Sequence, residues 1–208
     1  MAEQNHPRAY KNIIVLVSGG GTNLQALIDA QSRGELPHGK LSLVVSNKSG
    51  AYALERANNA GIPAVFIPNS PDFEAKLIET LDGYGIELIV LAGFLRILSA
   101  DLISRYEGRI INVHPSLIPS FCGMGFYGLK VHEAALSRGV NVTGATVHIV
   151  TPEADAGPIL LQKAVCTEPG DTPEKLQRRV MEQAEWILLP KAAEQLSEMI
   201  FNEKEQSV

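Results

Sequence analysis

Short, mostly apolar runs punctuate the first half of the chain at residues 13–17, 41–45, 64–67, 88–92 and 109–113. Between them, at 22–33, 52–60, 72–81 and 99–106, apolar residues return every three or four positions. A run of four or five apolar residues without polar alternation predicts a strand covered on both faces. Strands separated by amphipathic helices predict βαβ units and a largely parallel sheet. Thr22-Asn23-Leu24-Gln25 has the form of a capping box at the first helix, and Ser99 is suited to cap the fourth.

After residue 114 the rhythm changes. Residues 129–138 predict a helix stopped by Gly139. Residues 143–150 and 159–165 read as strands, and the turn between them is too short for a crossover, so they should pair as an antiparallel hairpin. Thr172-Pro173 opens a last helix towards Ile200, with a kink expected before Pro190 and fraying over 202–208. The pattern predicts an α/β protein: a mostly parallel, Rossmann-like open sheet with helices on both faces and a hairpin added in the C-terminal half. No repeat or linker divides it, so a single domain, 1–208, with halves 1–113 and 114–208 is the economical expectation.

Composition narrows the class without naming it. The 208 residues are 45% hydrophobic and 20% charged, enough to bury a core without disulfides or metals. A net charge of −5 argues against a general nucleic-acid binder. Cys122 and Cys166 are too few for a disulfide framework and lack metal-ligand spacing. Residues 1–11 are polar, and no apolar run approaches the roughly 18 residues of a membrane span. The expectation is a soluble, cytoplasmic protein with no general nucleic-acid partner and no membrane partner, and a monomeric or a homodimeric state is left open.

In open α/β sheets, ligands bind beyond the carboxyl ends of the strands. Residues 18–22, 93–96 and 112–116 should all lie at that edge. The first, Ser18-Gly19-Gly20-Gly21-Thr22, suits a phosphate at a helix N-terminus. Leu24 stands where a dinucleotide fingerprint needs its third glycine, and Ser46-Asn47-Lys48 lacks the ribose-binding acid. A single phosphate on a small substrate is favoured, with a plain tight turn as the alternative. In the third loop, Asn112 and His114 lie two apart on a strand and so project from one face. An amide can stabilise an oxyanion, and an imidazole can carry a proton near neutral pH. Pro115 and Pro119 stiffen the exit from that strand. A carboxylate to orient the imidazole must come from elsewhere, and the turn at 151–158 offers Glu153 and Asp155. His148 lies inside the preceding strand and is free to face either the core or the site. Neither a serine-hydrolase elbow nor a paired cysteine nucleophile is present.

These residues carry a resemblance. Asn112-Val113-His114-Pro115-Ser116-Leu117-Ile118-Pro119 resembles the Asn-x-His-Pro-Ser-Leu-Leu-Pro motif of the folate-dependent formyltransferase superfamily. Asp155-Ala156-Gly157-Pro158 resembles its Asp-x-Gly-x segment. Residues 15–23 and 91–98 are similar to the branch of that superfamily that formylates glycinamide ribonucleotide in purine biosynthesis. Four motifs in order, across about residues 12–193, make the resemblance specific.

The resemblance implies a catalytic trio of Asn112, His114 and Asp155. It implies phosphate and ribose contacts from Gly20, Gly21, Thr22 and Asn23, and a glycinamide contact from Glu185, which the residues alone do not single out. It implies a folate wall of Arg96, Ile97, Leu98, Val150, Thr151 and Glu153, with 10-formyltetrahydrofolate as co-substrate and no metal. The implied alternatives are a formyltetrahydrofolate hydrolase, expected to carry an extra amino-terminal domain, and a methionyl-tRNA formyltransferase, expected to carry an extra carboxy-terminal one. A non-catalytic nucleotide-binding module using the glycine loop alone is the third.

Overall fold

The computed structural model of the chain describes residues 10–205. Residues 1–9 and 206–208 lie outside them, and with them most of the polar N-terminal stretch and the last part of the tail. Seven strands form one sheet in the order β3-β2-β1-β4-β5-β6-β7. The strands β1 (Lys11–Val17), β2 (Gly39–Ser46), β3 (Ala64–Phe66), β4 (Leu88–Leu91) and β5 (Ile110–His114) pair in parallel. The expected hairpin of β6 (Val142–Ile149) and β7 (Ile159–Cys166) is antiparallel and docks on β5 through β6, also antiparallel.

The absence of polar alternation in the first strands has the cause inferred for it. Ile13, Val15 and Val17 enter one apolar cluster, while Ile14 and Leu16 enter a second on the opposite face. The first cluster is completed by α1 (Thr22–Ser32), α2 (Tyr52–Asn59), α5 (Leu129–Arg138), α6 (Pro173–Val180) and α7 (Trp186–Glu205). The second is completed by α3 (Phe73–Gly83) and α4 (Ala100–Arg105). Ser99 caps α4 as expected, its hydroxyl accepting from the Leu102 N–H. No helix among the described residues is long and apolar enough to cross a membrane.

Two local expectations change, and the kink expected before Pro190 takes a specific form. The capping box does not form, because Gly21 is the N-cap in a left-handed conformation, φ 73°, with no side-chain cap. A capping box needs Ser or Thr in extended backbone before the helix, whereas here Thr22 is already helical and Gln25 bonds Asp29 and Arg56 instead. The break in the last helix is a π turn at Met181–Glu185, ahead of the proline. Pro190 lies inside α7, where it cannot donate the usual helical hydrogen bond. Finally, residues 202–205 continue α7 rather than fray.

Candidate active site

The chain leaves β1 outward to β2 and β3, then returns to β4 on the other side, so the topological switch lies between β1 and β4. The loops at that edge are laced together by Ser18. Its hydroxyl donates to Asn47 Oδ1 at 2.8 Å and accepts the Leu95 N–H at 3.0 Å. The loops after β1, β2 and β4 therefore share one buried hydroxyl.

The glycine loop opens α1, whose first N–H groups have no intrahelical acceptor. Gly20, Gly21, Thr22 and Asn23 lie together there, and Asn23 joins them to Glu185, its Nδ2 donating to Oε2 at 2.7 Å. The other end of the Asn23 amide, Oδ1, is buried without a partner among the described residues. Glu185 ends the π turn and is 6% exposed. Burial pushes its carboxyl up to about 7, against a smaller opposing pull from the Asn23 amide. Near neutral pH this carboxyl is poised between its acid and its anion.

The strand end behaves as its spacing predicts, and the distant carboxylate does arrive. His114 Nδ1 lies 3.6 Å from Asp155 Oδ2, and His114 Nε2 donates to the Phe121 carbonyl at 2.9 Å. Asp155 Oδ2 also accepts the Gly123 N–H at 2.8 Å. Phe121 and Asp155 are the non-glycine residues with left-handed backbone among those described, φ 50° and 54°. Both touch the same imidazole. Such conformations cost on the order of 1–3 kcal/mol each and persist where the surroundings over-determine them. The segment leading to Phe121 contains a cis Ile118–Pro119 peptide.

His148 faces the site rather than the core. It pairs with Asn112 across β5 and β6, and its Nε2 stands 3.2 Å from Asn112 Nδ2 and 3.5 Å from Asp155 Oδ1. One nitrogen cannot serve both neighbours at once: bare, it accepts from Asn112, and protonated, it donates to Asp155. With Nδ1 at 2.9 Å from the Ile149 carbonyl, the neutral ring carries its proton there and leaves Nε2 bare. Directly opposed residues of an antiparallel pair share a face. Counting the β5–β6 register is the signal that would have found this residue from sequence, had the docking of the hairpin been known.

Burial holds the His114 imidazolium below its usual range, outweighing the Phe121 carbonyl and the attraction of Asp155. For Asp155, burial acts to raise the carboxyl, but His148, the Gly123 N–H and the charge of His114 together bring it lower. At rest near neutral pH the pair is thus a carboxylate beside a neutral imidazole. His132 lies buried on α5 with both ring nitrogens unpartnered among the described residues. Its burial, with a smaller contribution from His114, pushes it down to about 4.

Asn112, His114 and Asp155 open into a cavity of about 490 Å³ walled by the loop after β4 and by residues 123–128. Arg96 and Ile97 line it, with Ile97 67% exposed. The Arg96 guanidinium lies 4.6 Å from the Phe73 ring and bonds the Asn69 side chain. The remaining residues expected on this wall do not line the cavity. Leu98 is buried in the core under α4, Val150 packs against that core, and Thr151 bonds the Glu153 carbonyl within the turn at 3.1 Å. Among the described residues, no group of three His, Cys, Asp or Glu side chains is placed to hold a metal ion.

The chain is similar to known proteins over most of its length. The family model described as formyl transferase matches residues 11–192. A trifunctional purine biosynthetic protein adenosine-3 of Gallus gallus is 44% identical over 175 residues, covering 82% of this chain and 17% of that protein. The chain also spans little more than half, 56%, of a chloroplastic phosphoribosylglycinamide formyltransferase of Vigna unguiculata. The phosphoribosylglycinamide formyltransferase of Escherichia coli (strain K12) is 42% identical over 177 residues, with 83% of this chain and 81% of that one covered. The crystal structure of glycinamide ribonucleotide transformylase 1 from Symbiobacterium toebii superposes with a TM-score of 0.85 at 40% identity, covering 95% of this chain and 92% of that one. With the family model covering most of the chain and relatives of about 40% identity covered over most of their length, the chain belongs to the formyl transferase family.

Proposed function

We propose that this chain transfers the formyl group of 10-formyltetrahydrofolate to the amine of glycinamide ribonucleotide, a step of purine biosynthesis. The observation that carries the reading is the meeting of Asn112, His114 and Asp155 at the mouth of a cavity with apolar walls. The exposed side chains of Leu95, Ile97 and Met124 there suit a flat heterocycle. On the same sheet edge, Gly20 to Asn23 would take the phosphate and ribose, and Glu185 the glycinamide end. The reading carries with it a single catalytic domain, no metal, small-molecule partners only and a cytoplasmic location.

Bond by bond, the amine nitrogen adds to the formyl carbon, and negative charge builds on the formyl oxygen. The Asn112 amide donates to that oxygen. Bare Nδ1 of His114 takes the proton that the amine sheds, and the imidazolium forms beside the Asp155 carboxylate. The bond from the formyl carbon to N10 of the folate then breaks, and His114 returns the proton to N10. One C–N bond forms, one breaks, and one proton moves. Burial of His114 favours a neutral ring at the start.

The test is to incubate the protein with 10-formyltetrahydrofolate, with and without glycinamide ribonucleotide, and follow deformylation of the folate. Amine-dependent turnover supports the transferase. Equal turnover without the amine assigns a hydrolase, and no turnover leaves only a binding module.

A further inference from the structure

The carbonyl groups of the glycine loop are each held by a neighbouring donor. The Ala53 N–H donates to Gly19 O at 3.2 Å, Arg56 Nε donates to Gly20 O at 2.8 Å, and the Gln25 N–H donates to Gly21 O at 2.9 Å. In a trans peptide the C=O and the following N–H point in opposite directions. Anchoring these three oxygens therefore turns the N–H groups of Gly20, Gly21 and Thr22 the other way. A run of such N–H groups is a concave anion site.

Two of the three anchors come from backbone, and only the Gly20 carbonyl depends on a side chain. That side chain is itself braced. Arg56 Nη1 donates to Gln25 Oε1 at 2.9 Å, and the guanidinium lies 4.9 Å from the Tyr52 ring. α2 can approach this closely because Gly21 has no side chain: a Cβ there would lie 2.6 Å from Ala53 Cβ. Glycine on both sides of the Gly20–Gly21 peptide gives little steric resistance to rotation. Without Arg56, nothing but the helix start would hold it.

We infer that Arg56 is a positioning residue for the phosphate of the acceptor substrate, acting through the Gly20 carbonyl to keep the Gly21 N–H turned towards the phosphate. This deepens the reading of Gly20 to Asn23 as the phosphate site and rests on it. A rotated peptide would present a carbonyl dipole to the anion instead of a donor. The experiment compares wild type, Arg56→Ala and Arg56→Lys with glycinamide ribonucleotide and with its phosphate-free riboside as acceptors.

Arg56→Ala should raise KM for the phosphorylated acceptor about tenfold, the cost of one hydrogen bond to a charged group. KM for the riboside, KM for the folate and kcat should each stay within about twofold of wild type, and inhibition by inorganic phosphate should weaken in step. Arg56→Lys keeps the charge but lacks the planar fork that spans Gly20 and Gln25, and should recover only a minor part of the loss. Full recovery by lysine would assign the effect to charge and overturn the inference. Equal losses for the two acceptors, or a collapse of the melting temperature with loss of both, would overturn it as well. If wild type shows no amine-dependent turnover, the transferase reading fails by itself. Calorimetric binding of inorganic phosphate to wild type and Arg56→Ala then still decides the role of Arg56, equal affinities overturning it.

Discussion

Asn112 Nδ2 stands 3.2 Å from His148 Nε2 as a cross-strand pair, and the other His148 nitrogen is held by the Ile149 carbonyl. A neutral imidazole thereby fixes which end of the Asn112 amide faces it, and in the proposed transfer the second amide hydrogen would serve the formyl oxygen. Asn112→Ala should cost about 10²–10³ in kcat with little change in KM. His148→Phe should cost about tenfold, and the double variant should be no slower than Asn112→Ala alone. Losses that multiply in steady-state kinetics would show that the two residues act separately.

Asp155 occupies left-handed backbone, which asparagine tolerates. Asp155→Asn should therefore leave the melting temperature nearly unchanged while lowering kcat by about 10² or more, since the imidazolium loses its counter-charge. A change confined to KM would contradict the assigned role.

Glu185 is a stability cost held at the site. Its folded value of about 7 lies above the ordinary 4.5, so between those values the folded state holds a proton that the unfolded state has lost. Stability from this group is complete below about pH 4.5 and falls as pH rises towards 7. Glu185→Gln keeps an oxygen for Asn23 and should stabilise the substrate-free protein at pH 8 by up to roughly 3 kcal/mol, at 1.36 kcal/mol per unit. Urea titrations at pH 5 and pH 8 check this: an equal effect at both would disprove the linkage.

His132 has the opposite slope. Its folded value of about 4 lies below the ordinary 6.5, so the unfolded state binds a proton first as pH falls. Stability from this residue is complete above about pH 6.5 and is lost towards pH 4, and the lowered His114 adds in the same direction. His132→Phe should flatten the decline of the urea midpoint between pH 6.5 and 4. A variant as acid-sensitive as wild type would place the cause elsewhere.

Much of the architecture was legible from local pattern. The mostly apolar runs suited two covered faces and little else, and the turn at 152–158 was too short for anything but a hairpin. Asn112 and His114 share a face because a strand has period two. The failures were equally local. Thr22 to Gln25 has the letters of a capping box, but the backbone of Gly21 decides whether it can form.

By itself, then, the sequence determined the order of strands and helices, the edge of the sheet where the loops gather, and the pairing of amide with imidazole on β5. Those follow from side-chain periodicity and chain connectivity, which act over a few residues. Only the tertiary structure decided that β6 docks on β5 and places His148 against Asn112, that Asp155 reaches His114, and that Asn23 meets Glu185 from 162 positions away. Burial set the charge states as well, raising Glu185 and lowering His114 by removing water that no sequence pattern records.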